Sequence, residues 1–143
     1  FNFHQYQLDA CSALLYVNRR GSPYSKQFEL FDLEKKIRIL AALVSLSNRC
    51  DHRLWITEVN WALLNTKPYI PNSGHPRSTV DEDTQAQYLT EYFEIARQTG
   101  LVERVYWWQL INPGYGLVDH RGGGLRKMPS FYAFQRWLNP ATT

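Results

Sequence analysis

Apolar positions recur along this chain with two periods, one of two residues and one of three to four, and together they predict three strand–helix units. Residues 10–18 (ACSALLYVN) are the first apolar run and read as a strand, closed by the turn-rich stretch Arg19-Arg20-Gly21-Ser22-Pro23. Asp32 is placed to cap a helix reaching about Ser47, because Leu33, Ile37, Leu40 and Val44 then share one stripe. Leu54 to Trp61 (LWITEVNW) reads as a second strand, followed by a loop from Leu64 to Ser78 rich in Pro, Asn, Ser and Gly. Thr79-Val80-Asp81-Glu82 has the spacing of a capping box, with Ala86, Leu89, Phe93 and Ala96 as the apolar stripe of the helix it opens. Gly100 is that helix's natural stop. Val102 to Leu110 (VERVYWWQL) reads as a third strand. A loop from Asn112 to Lys127 then leads to Pro129, which suits the first turn of a last helix to about Leu138, with Phe131, Phe134 and Leu138 turned inward.

The predicted order is β-α-β-α-β-α, and right-handed crossovers make the three strands parallel and adjacent. The fold class is therefore α/β. Three strands do not close a barrel, which takes eight, so the chain reads as three consecutive βα units cut from something larger. An open sheet of this kind has two unprotected edges. At 143 residues the chain holds one domain at most. It opens on Phe1 without a leader pattern, so the natural N-terminus is expected upstream and localisation cannot be read.

Composition then removes several function classes. A formal charge of +3, with basic and acidic residues interspersed, does not argue for a nucleic-acid partner. No apolar run approaches the roughly 20 residues of a membrane span. His4, His52, His75 and His120 lack ligand spacing, so no metal and no cofactor is expected. Cys11 and Cys50 read as buried free thiols rather than a disulfide. The 15% aromatic content is high, and that suits a sugar or nucleobase surface better than a plain aliphatic core.

The candidate chemistry sits at the strand ends. Under a two-residue period Leu54, Ile56 and Glu58 fall on one face, so Glu58 is expected to continue a buried row. A buried ionised carboxylate is costly unless compensated. At the C-terminal end of a strand in a parallel sheet or barrel, the usual compensation is an active site. The next strand ends in Trp107 and Trp108. Indole faces stack on the apolar C–H faces of sugars, while carboxylates and amides hold hydroxyl groups, so the pair of strand ends has the composition of a carbohydrate subsite. Asn60 is placed to hold a sugar hydroxyl or to shape the loop. Asp119 and His120 read as an exposed loop, and Gly122-Gly123-Gly124 does not sit as a phosphate-binding loop would.

Leu15-Tyr16, Trp55-Ile56-Thr57-Glu58-Val59-Asn60-Trp61 and Tyr106-Trp107-Trp108-Gln109-Leu110, in that order, resemble strands six, seven and eight of clan-A glycoside hydrolases, which are TIM barrels. The tail Tyr115-Gly116-Leu117-Val118-Asp119 and the step Arg126-Lys127-Met128-Pro129-Ser130-Phe131 resemble their closing segment. The resemblance covers nearly the whole chain and implies that residues 1–143 are the C-terminal part of one such barrel. It implies retaining cleavage of a β-linked glycoside, with Glu58 as nucleophile and Tyr16 hydrogen-bonded to it. It matches Trp108, or Trp107 if the register slips by one, to the floor of the subsite for the reacting sugar.

A retaining glycosidase needs a second carboxyl about 5–5.5 Å from the nucleophile to protonate the leaving oxygen. The family carries it in an Asn-Glu pair on strand four, and no Asn-Glu dipeptide occurs here. The acid/base is therefore expected on a missing upstream strand. The isolated chain is expected to be inactive and to self-associate, or to need a missing N-terminal half. The other reading is a non-catalytic carbohydrate-binding or scaffold protein derived from the same fold.

Overall fold

A computed structural model describes residues 31–46, 53–64 and 79–139. The strand expected at residues 10–18, with Tyr16 and Cys11, lies outside the described residues, as do Cys50 and the loop 65–78. The described residues form a mixed α/β arrangement of three helices and two small two-stranded sheets, with no closed barrel among them.

Helix α1 runs Phe31–Ser45, strand β1 Leu54–Val59, helix α2 Glu82–Thr99 and strand β2 Val102–Trp107. A short hairpin of β3 (Val118–Asp119) and β4 (Arg126–Lys127) precedes helix α3, Pro129–Leu138. Strands β1 and β2 pair in parallel. A parallel pair requires a long crossover, and α2 supplies it. The register runs Leu54↔Val102, Trp55↔Arg104, Ile56↔Val105 and Val59↔Trp107. It therefore slips twice, by one extra residue in β2 at Glu103 and one extra in β1 between Ile56 and Val59.

One side of this sheet is closed. Leu33, Ile37, Leu40, Ala41 and Val44 from α1 and Tyr88, Tyr92 and Ala96 from α2 pack on Leu54, Ile56 and Val59, with Val102, Val105 and Trp107 at the margin. Trp61, just past β1, fills the centre, edge-on to Tyr88 at 5.3 Å and to Tyr92 at 5.8 Å. Burying a side chain of that size stabilises by several kcal/mol at about 25 cal/mol per Å². Burial also pushes the Tyr92 phenol's pKa up. Helix α3 packs on α2 through Phe93, which meets Phe134 at 5.7 Å and Trp137 at 5.8 Å.

The predicted helices form with adjusted ends. Asp81, not Thr79, caps α2, accepting from the Thr84 N–H at 2.7 Å. Gly100 stops it in the left-handed conformation, φ 65°, which glycine adopts without a Cβ penalty. The buried face of α2 is Gln85, Tyr88, Leu89, Tyr92 and Ala96, rotated slightly from the expected stripe. Pro129 opens α3 as expected, but Leu138 is 67% exposed and Ser130 and Ala133 are the buried positions. The third strand is shorter than the expected VERVYWWQL, because the chain leaves the ladder after Trp107.

Candidate functional site

Glu58 sits near the C-terminal end of β1 and is exposed. This corrects the expected parity. The buried row is Leu54, Ile56 and Val59, because the extra residue between Ile56 and Val59 turns both Thr57 and Glu58 to the open side. A bulge shifts every later side chain by one face, which no two-residue period anticipates. The carboxylate therefore bears no burial penalty. Among the described residues no ion pair or hydrogen bond to it is found.

The two tryptophans of β2 divide between the two sides. Trp107 is half-buried, packs on Trp61 at 6.1 Å and joins the helix-side core. Trp108 is 46% exposed, and its N–H donates to the Val59 carbonyl at 3.2 Å. Glu58 immediately precedes that carbonyl's residue. The structure thus brings Glu58 and Trp108 to the C-terminal ends of neighbouring parallel strands, with Tyr106 level with Glu58 and Trp108 about one rung beyond it, and takes Trp107 into the helix-side core. Tyr16 lies outside the described residues.

Asn60 is not available to a sugar. It is 4% exposed and its amide is engaged inside the protein. The Nδ2 group donates to the Tyr115 carbonyl, and Oδ1 accepts from the Trp61 N–H at 2.6 Å and from Gln85 Nε2 at 3.2 Å. Of the two roles expected for it, the geometry leaves the shaping of the loop.

Sequence reasoning missed the rest of the open face. Trp55, Arg104 and Tyr106 form a cluster that begins level with Glu58 at Tyr106 and runs toward the N-terminal ends of the strands at Trp55 and Arg104. The Arg104 guanidinium lies 4.4 Å from the centroid of the Trp55 ring, a cation–π contact. The Trp55 indole N–H donates to Glu103 at 2.8 Å, and Tyr106 leans on Trp55 at 6.4 Å. Alternation back from Trp108 through Tyr106 to Arg104 was the available signal.

The loop after Trp108 is also more ordered by contacts than its composition suggested. Asn112 Oδ1 accepts from the N–H groups of Gly114 at 2.7 Å and Tyr115 at 3.1 Å, making a tight turn. Gly116 closes it so tightly that a Cβ there would meet the Asn112 carbonyl oxygen at 2.6 Å. Asp119, expected in an exposed loop, is 4% exposed. Arg121 grips it at 2.7 Å and Arg126 at 3.2 Å, and Arg126 continues to Glu82 at 2.6 Å, at the start of α2. Hydrogen bonds from Arg121 chiefly hold the Asp119 carboxyl well below the usual carboxylate range, against the opposing effect of burial. His120 beside it is exposed, as expected.

One groove, ≈ 540 Å³, runs between α2 and α3 along Thr90, Glu94, Arg97, Arg136 and Trp137, on the helix side. A second, ≈ 330 Å³, follows β2 along Val102, Arg104 and Val105, with Phe134 and Trp137 opposite. Neither gathers the strand-end residues, so we place the candidate site on the open sheet face by its chemistry. No cluster of His, Cys, Asp or Glu suited to a metal occurs among the described residues, and no described helix is long and apolar enough to cross a membrane. No protein-family model, curated protein or solved structure matches this chain.

Proposed function

We propose that this chain is the C-terminal part of a TIM-barrel glycoside hydrolase that cleaves β-linked glycosides with retention. In this reading Glu58 is the nucleophile and Trp108 the platform under the reacting sugar. One observation carries it: an unengaged carboxylate and an exposed indole share the C-terminal ends of two neighbouring parallel strands. In parallel α/β folds that end is where ligands bind. The carboxylate attacks the anomeric carbon as the leaving oxygen departs, forming a glycosyl ester that water then hydrolyses. The indole offers a flat apolar face for the sugar ring. The groove beside β2 supports the partial-barrel reading, since it flanks an edge where a further strand would pair.

The experiment uses a chain extended upstream to carry the remaining strands. A dinitrophenyl glycoside with fluorine at C2 forms a long-lived glycosyl ester on the nucleophile, and its leaving group needs no acid assistance. Mass spectrometry of the digested protein is expected to find the label on Glu58. A label on any other carboxylate rejects the assignment.

A second reading has its own observation. Retaining hydrolysis needs two carboxyls about 5–5.5 Å apart. On the described open face the other carboxylate, Glu103, sits at the far end of the strands and is engaged by Trp55. By itself this face therefore suits a non-catalytic carbohydrate-binding platform. Sugar binding without turnover by the extended chain, with no label at Glu58, would select that reading.

A further inference from the structure

Three buried amides lie behind the candidate site: Asn60, Gln85 and Asn112 are 4%, 0% and 7% exposed. The surrounding core is aliphatic and aromatic, where each amide costs free energy unless it is bonded. Gln85 Nε2 donates both to Asn60 Oδ1 at 3.2 Å and to the Trp61 carbonyl at 2.9 Å. Asn60 in turn donates to the Tyr115 carbonyl, inside the turn that Asn112 organises. The Leu63 N–H closes the circuit on the Gly114 carbonyl at 2.9 Å.

This circuit stands where the sheet ladder runs out. The last rung between the two strands is the Trp108 N–H on the Val59 carbonyl. Beyond it the chain after β1 and the chain after β2 are joined by the Asn60 amide on the Tyr115 carbonyl and by the Leu63–Gly114 backbone bond. Glu58 is two residues before Asn60, and Trp108 is four before Asn112, so both site residues lie close along the chain to the circuit.

We propose that Gln85 and Asn60 are positioning residues that hold the nucleophile strand end and the Trp108 strand end in fixed relation. The inference rests on the reading of Glu58 and Trp108 as nucleophile and sugar platform. Gln85 reaches this circuit from α2, so the crossover helix itself sets the geometry of the site. A displacement of about 1 Å at a reacting centre is enough to cost roughly 10²-fold in rate.

Gln85→Met keeps the volume and removes both donations; Asn60→Ser keeps a short acceptor for the Trp61 N–H and removes the link to Tyr115. Two readouts are taken on whichever variant retains the wild-type helical circular dichroism. The first is fluorine NMR of the 143-residue chain labelled with fluorotryptophan, with the Trp108 resonance assigned from Trp108→Phe. The Trp108 resonance is expected to shift or broaden more than that of Trp137, which lies on the far side of α2. An unmoved Trp108 resonance overturns the proposal, whatever the chain's activity. The second readout is hydrolysis of para-nitrophenyl β-glucoside and β-xyloside by the extended chain. There kcat is expected to fall about 10²-fold while KM stays within about threefold. An unchanged kcat overturns the proposal when Glu58→Gln is inactive in the same assay. An active Glu58→Gln instead removes Glu58 as the nucleophile and leaves the NMR result to decide whether the circuit holds the strand ends.

Discussion

The two faces of the β1–β2 sheet come from the same two strands and the residues just past them, and differ in kind. On the helix side Leu54, Ile56, Val59, Val102 and Val105 meet α1 and α2, and Trp61 and Trp107 fill the centre. On the open side Trp55, Thr57, Glu58, Arg104, Tyr106 and Trp108 carry aromatic rings, one cation and a carboxylate. A face meant only for water does not need three aromatic side chains, and a core does not hold a carboxylate such as Glu58 without a compensating partner. The contrast teaches that the helix side makes the fold, and that the open side is kept for contact with something else. In the proposed barrel that side is the lumen and the mouth above it.

The strongest way to break this contrast is Glu58→Gln. In the extended chain it is expected to cut aryl β-glycoside hydrolysis by several orders of magnitude, read by initial rates. The melting temperature should stay within about 2 °C, because an exposed side chain outside any network contributes within about 0.5 kcal/mol. A large loss of stability would mean that Glu58 belongs to the structural face after all.

The complementary test is on the helix side. Trp61→Ala is expected to destabilise by about 3–5 kcal/mol in urea unfolding, since it empties the centre of the core. Tyr106→Ser on the open side should change stability by less than about 1 kcal/mol. It should instead lower self-association of the 143-residue chain, read by light scattering, because Tyr106 is 42% exposed on an aromatic patch. Equal stability losses at the two positions would erase the distinction between the faces.

Asp119 tests whether the hairpin beside the start of α2 is fastened or loose. Asp119→Asn is expected to cost about 2 kcal/mol, since charged hydrogen bonds from Arg121 and Arg126 are lost from a nearly buried group. The pH dependence has a definite sign. A carboxyl held below its unfolded-state value binds fewer protons when folded, so its contribution is complete above about pH 4 and is lost as pH falls toward the depressed folded value. Wild type should therefore lose stability below about pH 4 more steeply than Asp119→Asn. Parallel acid limbs would show that the network adds nothing.

The smallest effect is expected at Arg38→Ala, which removes an exposed i, i+4 pair with Glu34 at 2.8 Å on α1. It should cost about 0.3–0.5 kcal/mol, which salt screens. A cost above 1 kcal/mol would mean that the outer face of α1 is not solvent-facing.

Much of the frame was legible. Leu33, Ile37, Leu40 and Val44 sit at helical spacing and all point into the core, and Pro129 and Gly100 mark helix ends as their backbone preferences require. The site was legible only by residue type and by its place at strand ends. Its faces were not: one extra residue after Ile56 reversed the predicted side of Glu58, and one at Glu103 exposes both Glu103 and Arg104. Leu138 fits the apolar stripe of α3, yet it is largely exposed at the helix's last residue.

By itself the sequence determined the three helices and the two parallel strands among the described residues and their order, though not the short β3–β4 hairpin, and which chemical groups stand at the strand ends. Those follow from local periods and caps, which act over a few residues. Tertiary structure alone decided that Glu58 is exposed, that Trp108 rather than Trp107 shares its side, that Asn60 is committed to Tyr115 and Gln85, and that Asp119 is buried between two arginines. Each of these depends on inter-strand register or on partners brought close by packing, and a local pattern carries no information about either.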